Sequence, residues 1–277
     1  MKISAVVLSF YYTDEMLYKN VANYINDVDL LIIWDNTPKE DSLITQAYWE
    51  QFNTPVCILS NGKNAGIGVA LNEAIKYSIG YGCTHIMTMD QDSVWKDFNK
   101  YKFAIYSNNI ENVALYAPTI ANIEETVYYT CNKEDLYAIT SGSVISIKFL
   151  QYIGLFNEQF FIDEVDNEFC VRVVKKGYHI HIFKDIFLYQ QFGPEKSLIG
   201  ISKYKLNYSA FRTYYQVRNR LWMHRMYPHD LNWRYKTRTY LYSIIRRSIL
   251  ILLFEKNKLN KIRAIVRGMY DGFFSKL

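Results

Sequence analysis

His85-Ile86-Met87-Thr88-Met89-Asp90-Gln91-Asp92 is the stretch on which the reading of this chain turns. Residues 86–89 are a short apolar and β-branched run, the pattern of a strand buried on both faces. The run ends on two carboxylates at i and i+2. Carboxylates leaving a strand at that spacing can jointly engage a hard divalent cation or its waters, because Mg²⁺ and Mn²⁺ take oxygen ligands. Such an ion would bridge a diphosphate. The alternative is a turn with solvated carboxylates, since Asp favours loops. What separates the two is where the strand lies in its sheet.

Upstream, residues 3–8, 30–34 and 56–59 have the same strand character, and 113–117 follow downstream. Over 15–26, Leu17, Val21, Tyr24 and Ile25 recur at helical spacing. Ile67, Leu71, Ala74, Ile75 and Ser78 do so before the 85–89 strand, and Gly80 and Gly82 end that helix. Alternating strands and helices predict an α/β fold, a mostly parallel sheet with helices on both faces. Open sheets of this kind bind ligands beyond the carboxyl ends of their strands. Those ends carry Ser9, Asp35-Asn36, the segment from Asn61 to Asn64, and Asp90-Gln91-Asp92. Each fits turn chemistry by itself; four strands delivering polar groups to one edge point to a site.

After Pro118 the pattern changes. Strands are predicted at 137–140 and 144–147, split by Ser141-Gly142, then a helix at 164–176 ending at Gly177. Short strands at 178–182 and 186–189 follow, and from Asn207 onward the chain reads helical, over 208–226, 233–254 and 258–274. The predicted organisation is a catalytic domain over residues 1–206 and a C-terminal helical extension over 207–277.

The 164–176 helix opens on Asp163-Glu164-Val165-Asp166. Asp163 is expected to cap it and Asp166 to occupy its third position. Asp166 then heads the stripe of Phe169, Cys170, Val173 and Val174 that faces the protein. A carboxylate there suits a general base whose pKa partial burial would raise. A cap and nothing more is the other reading. Glu168 and Arg172 form an i,i+4 pair on another face, which reads as structural. Asn64-Ala65-Gly66-Ile67-Gly68 looks like a phosphate-binding glycine loop, although GxG carries little weight alone. The simpler reading is a tight helix start with Asn64 facing the cleft. Ser141-Gly142 either lets backbone approach a sugar closely or makes a tight turn.

Half of the 277 residues are hydrophobic and 21% are charged, which describes a folded globular chain. The net charge of +5 is concentrated from Lys203 onward, and the part before it leans acidic. Cys57, Cys83, Cys131 and Cys170 show no CxxC spacing and read as reduced, buried thiols of a cytosolic protein. No secretory signal is visible, and the apolar run at 249–254 is far short of the roughly 20 residues that span a bilayer.

Taken in order, these pieces resemble the inverting glycosyltransferases of family two with a GT-A (Rossmann-like) fold, particularly their rhamnosyltransferase-like branch. The residues that carry the resemblance are Val6 to Ser9, Trp34-Asp35-Asn36, Asn64 to Asn72, Met87 to Ser93, Ser141 to Ser146, Phe161 to Asp166, and Tyr214 to Asn219. Asp-Gln-Asp-Ser followed by Phe-Ile-Asp-x-Val-Asp is its specific part. The resemblance implies that Ser9, Asp35, Asn36 and Asn64 hold the nucleotide, with Gly66, Gln91, Ser141 and Gly142 completing the nucleotide-sugar site. Asp90 and Asp92 would hold the donor and a divalent metal, Mg or Mn. Asp166 would deprotonate the acceptor hydroxyl. Relatives often carry Glu-Asp in place of Val165-Asp166. Where they often have a metal-binding His, this chain has Gln190, a weaker ligand through its amide oxygen.

The implied reaction moves rhamnose or another hexose from a dTDP, UDP or GDP donor to a saccharide or lipid-linked acceptor, for a surface polysaccharide or lipopolysaccharide. The basic, aliphatic tail fits peripheral contact with an anionic inner membrane face, packing on the catalytic domain, or a homodimer contact. No nucleic-acid-binding module is recognisable. Two other classes compete. A metal-dependent nucleotidyltransferase would need a basic, Gly-rich loop after the first strand, and residues 9–13 are Ser-Phe-Tyr-Tyr-Thr. A non-catalytic sugar- or membrane-binding protein would bind nucleotide without transfer.

Overall fold

Strands and helices alternate from the amino terminus in the computed structural model, which describes residues 1–122, 128–129, 138–190, 196–198, 201–204 and 208–276. The order opens with β1 (Ile3–Ser9), α1 (Asp14–Val21), β2 (Leu30–Asp35), α2 (Gln46–Trp49), β3 (Val56–Leu59), α3 (Ile67–Gly80) and β4 (His85–Asp90). Then come β5 (Ser93–Trp95), α4 (Phe98–Tyr106), β6 (Val113–Asn122), β7 (Tyr128–Tyr129), β8 (Ser143–Ser146), α5 (Leu150–Ile153), α6 (Val165–Lys175) and β9 (His179–Gln190). The rest comprises β10 (Lys196–Leu198), β11 (Ile201–Tyr204), α7 (Ala210–Met226), α8 (Trp233–Thr237), a π-helical stretch (Arg238–Arg246), α9 (Arg247–Phe254) and α10 (Lys258–Phe274).

Two compact units divide the chain: Met1–Glu158 with Phe169–Gln191, and Gln159–Glu168 with Phe192–Leu277. The boundary expected between residues 206 and 207 lies outside the described residues, as does Cys131.

The first unit is built on a mixed sheet of order β3-β2-β1-β4-β8-β6-β9-β5, with β7 paired to β6. From β3 to β4 the pairing is parallel, and β8 then inserts antiparallel between β4 and β6. Every residue of β2 is buried, and α3 packs across β1, β2 and β4, which explains the unbroken apolar runs in these strands. Register brings the site together. Ser9 pairs with Asp35 and Leu8 with Asp90, so β1, β2 and β4 end at one edge. Because β8 is antiparallel to β4, its amino end, just after Ser141-Gly142, reaches the same edge. β9 brings Gln190 opposite Ser93.

Several elements differ from expectation. Of the strand expected at 137–140, the described residues 138–140 are loop, because the Thr140 carbonyl is taken up by Ser143 N and the Thr88 hydroxyl. The two short strands expected at 178–182 and 186–189 are one, β9. Its polar Lys184-Asp185 is absorbed by a register break opposite Pro118, which has no N–H for the ladder, and the Thr119 hydroxyl donates to the Phe183 and Lys184 carbonyls. α1 stops at Val21, short of the predicted 26. The helical span from Trp233 to Phe254 is present, but its middle is wound as a π-helix.

The second unit packs α10 on α7 around Val217, Leu221, Ile251 and Ile265. Gly268 and Gly272 permit the close approach: a Cβ would lie 2.8 Å from the Tyr214 carbonyl oxygen or from Leu221 Cβ. Glu255 is buried and takes charged hydrogen bonds from buried Arg247 and Lys261, tying α9 to α10.

Candidate active site

Asp90 and Asp92 leave β4 on either side of Gln91, whose Oε1 accepts the Phe10 amide at 2.6 Å. Asn20 reaches the Gln91 carbonyl from α1 at 2.6 Å, so the Asp-Gln-Asp turn is fixed from both sides. Gln190 Nε2 donates to Asp90 Oδ2 at 2.8 Å and to Asp92 Oδ1 at 3.3 Å. The structure thus brings all three expected metal residues together, with the amide nitrogen facing the carboxylates. That orientation follows from charge, since an amide oxygen turned inward would oppose two carboxylates. An amide N–H has no lone pair to offer a cation, so Gln190 in this arrangement braces the pair. Tyr12, which composition did not single out, has its phenol pKa raised by burial and by the Asp92 charge.

Ser141 and Gly142 are part of the same construction. Fully buried Ser141 Oγ accepts the Asp90 amide at 3.1 Å and donates to Ser93 Oγ at 2.8 Å. Gly142 has φ +78°, and a Cβ there would lie 2.8 Å from both Leu188 Cδ2 and Pro118 Cγ. The turn is therefore restricted to glycine twice over. Ser9 Oγ is buried at the end of β1 and has no hydrogen-bond partner among the described residues, an arrangement that costs about 1–3 kcal/mol.

The Asp35 carboxylate accepts Thr37 N at 2.9 Å and Ser42 Oγ at 2.5 Å. Asn36 Oδ1 accepts Trp34 Nε1 and Ala65 N. Both side chains hold loops at the strand edge. Asn64 is exposed and accepts the Gly66 amide, with Gly66 at φ +84° capping α3, so the glycines start the helix as the simpler reading had it.

Asp166 lies in the second unit, on the first turn of α6. It is half-buried, and its pKa is raised to about 7, first by burial and then by the Glu164 charge, against the bond from the Asn167 amide. Asp163 is not the helix cap that was expected. The helix starts at Val165, and the Asp163 carboxylate turns away to Arg212, taking Nη2 at 3.0 Å and Nε at 3.1 Å. Phe161, Asp163 and Glu164 all have positive φ near 60°, a strained run for residues with side chains. Asn219 holds it: fully buried, its Nδ2 donates to the Phe160, Ile162 and Asp163 carbonyls at 2.7, 2.7 and 2.8 Å. Further along, Phe169, Cys170 and Val173 are buried as expected, while Val174 is 37% exposed and falls off the stripe. Glu168 accepts the Tyr227 hydroxyl, and Arg172 donates to the Ile153 and Leu155 carbonyls, structural roles for both.

A cavity of about 720 Å³ in the first unit lies at the amino end of β4, among His85, Glu111, Tyr116 and Lys148. Burial there lowers the His85 pKa to about 4. It is at the wrong end of the strand to serve Asp90. Among the described residues, no group of three or more His, Cys, Asp or Glu is arranged to hold a metal ion.

A sheet of this order, with two carboxylates leaving its fourth strand, is a GT-A (Rossmann-like) fold, and the family match identifies its class as a glycosyltransferase that uses a nucleotide-sugar donor. The profile of Glycosyl transferase family 2 matches residues 6–162, more than half of the chain, and the chain belongs to that family. It is 29% identical over 237 residues, 78% of each protein, to dTDP-rhamnosyl transferase RfbF of Shigella flexneri, and is rhamnosyltransferase-like. Its fold is similar to that of mannosyltransferase PcManGT from Pyrobaculum calidifontis in complex with GDP-Man and Mn²⁺, with TM-score 0.60, 8% identity and coverage of 100% of this chain and 88% of that one. It is also similar to S. aureus TarS 1-349 in complex with UDP-GlcNAc, with TM-score 0.63, 13% identity and coverage of 98% and 81%. At these identities the structural likeness speaks for the fold alone.

Proposed function

We propose that this enzyme transfers rhamnose, or a closely related hexose, from a dTDP-linked donor to a saccharide or lipid-linked acceptor in surface polysaccharide synthesis, with inversion. The observation that carries the reading is the convergence of Asp90 and Asp92 at the carboxyl edge of the sheet, in a chain similar to a dTDP-rhamnosyl transferase.

The oxygen donors of Asp90 and Asp92 fit a hard Mg²⁺ or Mn²⁺ ion, with Asp92 as the main protein ligand and Gln190 bracing the pair. Bound there, the ion would offset charge on the departing diphosphate. The buried Ser9 hydroxyl is the candidate nucleotide contact from β1, with Asp35, Asn36, Asn64 and Gly66 shaping that wall and Gln91, Ser141 and Gly142 lining the sugar side. Asp166 would take the proton of the acceptor hydroxyl. The acceptor oxygen then bonds to the anomeric carbon as the bond to the diphosphate oxygen breaks, inverting that centre in one displacement. A base held near pH 7 is matched to the task.

No helix among the described residues is long and apolar enough to cross a membrane. Leu241, Ile245, Ile249, Leu252 and Leu253 nevertheless lie exposed along the π-helical stretch and α9, between Arg238 and Lys256. This supports peripheral contact with an anionic lipid surface, where a lipid-linked acceptor would sit.

The test is a donor panel read twice, by thermal shift and by transfer to oligosaccharide or lipid-linked acceptors, each with and without Mn²⁺. dTDP-rhamnose should give the largest shift and a β-from-α or α-from-β inverted product. Preference for a UDP or GDP sugar would overturn the donor assignment, and nucleotide binding without any transfer would favour a non-catalytic protein.

A further inference from the structure

Glu164, two residues before Asp166, is buried and accepts from three side chains. Its Oε1 accepts Arg220 Nε at 2.9 Å, and its Oε2 accepts the Tyr235 hydroxyl at 2.6 Å and Asn167 Nδ2 at 2.7 Å. Arg220 comes from α7 and Tyr235 from α8, so two helices of the C-terminal region close on one carboxylate of the Asp166 loop. Three donors on two oxygens leave Glu164 poorly suited to take a substrate proton.

The three carboxylates of this loop are treated differently. Asp163 has the Arg212 guanidinium and Glu164 has that of Arg220. The bond described for Asp166 is the Asn167 backbone amide at 2.9 Å. Crowding the buried Glu164 anion and the partly exposed Asp163 anion beside a third carboxylate is costly without cations. Among the described residues it is the two flanking groups that have arginine partners, which leaves Asp166 as the one whose charge can change. Asn167 links the two halves: its amide serves Asp166 while its side chain serves Glu164.

We propose that Arg220 is a positioning residue for the transfer reaction, which, by neutralising and anchoring Glu164, sets the electrostatic setting in which Asp166 takes the acceptor proton. The proposal rests on the reading of Asp166 as the base. The other groups with a stake in that setting are Asp163 with Arg212, Tyr235, His224, which senses the Glu164 charge, and Glu168 with Tyr227 one turn along α6.

The experiment is the pH profile of transfer by the full chain carrying Glu164→Gln, Arg220→Met, both together, or Asp166→Asn. Glu164→Gln keeps the shape and removes the negative charge, so the acid limb should move down by about one pH unit. Arg220→Met should move it up or cut turnover about ten-fold with donor KM within two-fold, and the double variant should return the limb toward that of the parent. An unmoved acid limb in Glu164→Gln, with Asp166→Asn inactive, overturns the proposal. Full activity of Asp166→Asn would instead sink the base assignment on which it rests. Should Arg220→Met fail to fold, Glu164→Gln decides alone.

Discussion

Gln190 Nε2 lies 2.8 Å from Asp90 Oδ2, joining the last residue of β9 to the last residue of β4 across a gap of 100 positions in sequence. The same nitrogen reaches Asp92, so the two carboxylates are held by a neutral donor. Replacing that donor with an imidazole supplies a lone pair in its place. Gln190→His should therefore lower the Mn²⁺ concentration for half-maximal transfer by about ten-fold. An unchanged metal requirement would separate Gln190 from the metal. In the same titration Asp92→Ala should lose metal-dependent nucleotide binding, and calorimetric affinity equal to the parent's would refute its role.

Asp166→Asn should reduce transfer by about 10²–10⁴-fold, the range of general-base catalysis, with donor affinity retained. The same variant has a stability signature. With a folded-state pKa near 7 against an ordinary 3.8, Asp166 holds its proton in the folded chain while the unfolded chain has already ionised. Its favourable contribution is present below the unfolded value and is lost as pH rises through about 7. Asp166→Asn should thus melt higher than the parent at pH 8, with the gap closing toward pH 4. An equal gap at both values would place the shift elsewhere.

Gly142→Ala meets two penalties, positive φ and a Cβ within 2.8 Å of Pro118 and Leu188 side chains. Each is worth about 1–3 kcal/mol, so Tm should fall by several degrees, with loss of donor binding from displacement of Ser141. A melting curve matching that of the parent would show that the turn can relax.

Membrane contact is best tested on the surface of α9. Removing α10 would strip the packing that Gly268 and Gly272 allow on α7, confounding binding with folding. Ile249→Glu with Leu253→Glu changes two exposed residues, 51% and 62% accessible, and leaves the core alone. Co-sedimentation with vesicles containing anionic lipid should drop while Tm holds. Equal sedimentation of the two proteins would argue that this face meets protein or solvent.

The parallel half of the sheet was legible residue by residue. β3 has the predicted bounds, and β1, β2 and β4 differ by one residue at their ends, because continuous apolar runs between amphipathic helices admit few other arrangements. Past Pro118 legibility fell. Whether Lys184-Asp185 turned the chain or bulged within a strand depended on which residue stood opposite, and that residue was Pro118, far away in sequence. Asp163 looked like a cap because its fate as the partner of Arg212 was likewise set at a distance. Arg218 and Asn219 were visible as part of a recognisable string, but nothing local announced that Asn219 would hold three carbonyls of the loop before Asp166.

Local chemistry therefore determined the kinds of group this protein has: a strand ending in two carboxylates, an Asp at the head of a helix, a glycine turn, a basic helical tail. Periodicity and turn preference act over a few residues and are readable in order along the chain. Tertiary structure alone decided their state. It aimed the Gln190 amide nitrogen at Asp90, tied Asp35 and Asn36 to neighbouring loop groups, and paired Asp163 and Glu164 with arginines while Asp166 was left with a proton affinity near neutrality. Charge and burial are sums over neighbours in space, and a linear sequence does not say who those neighbours are.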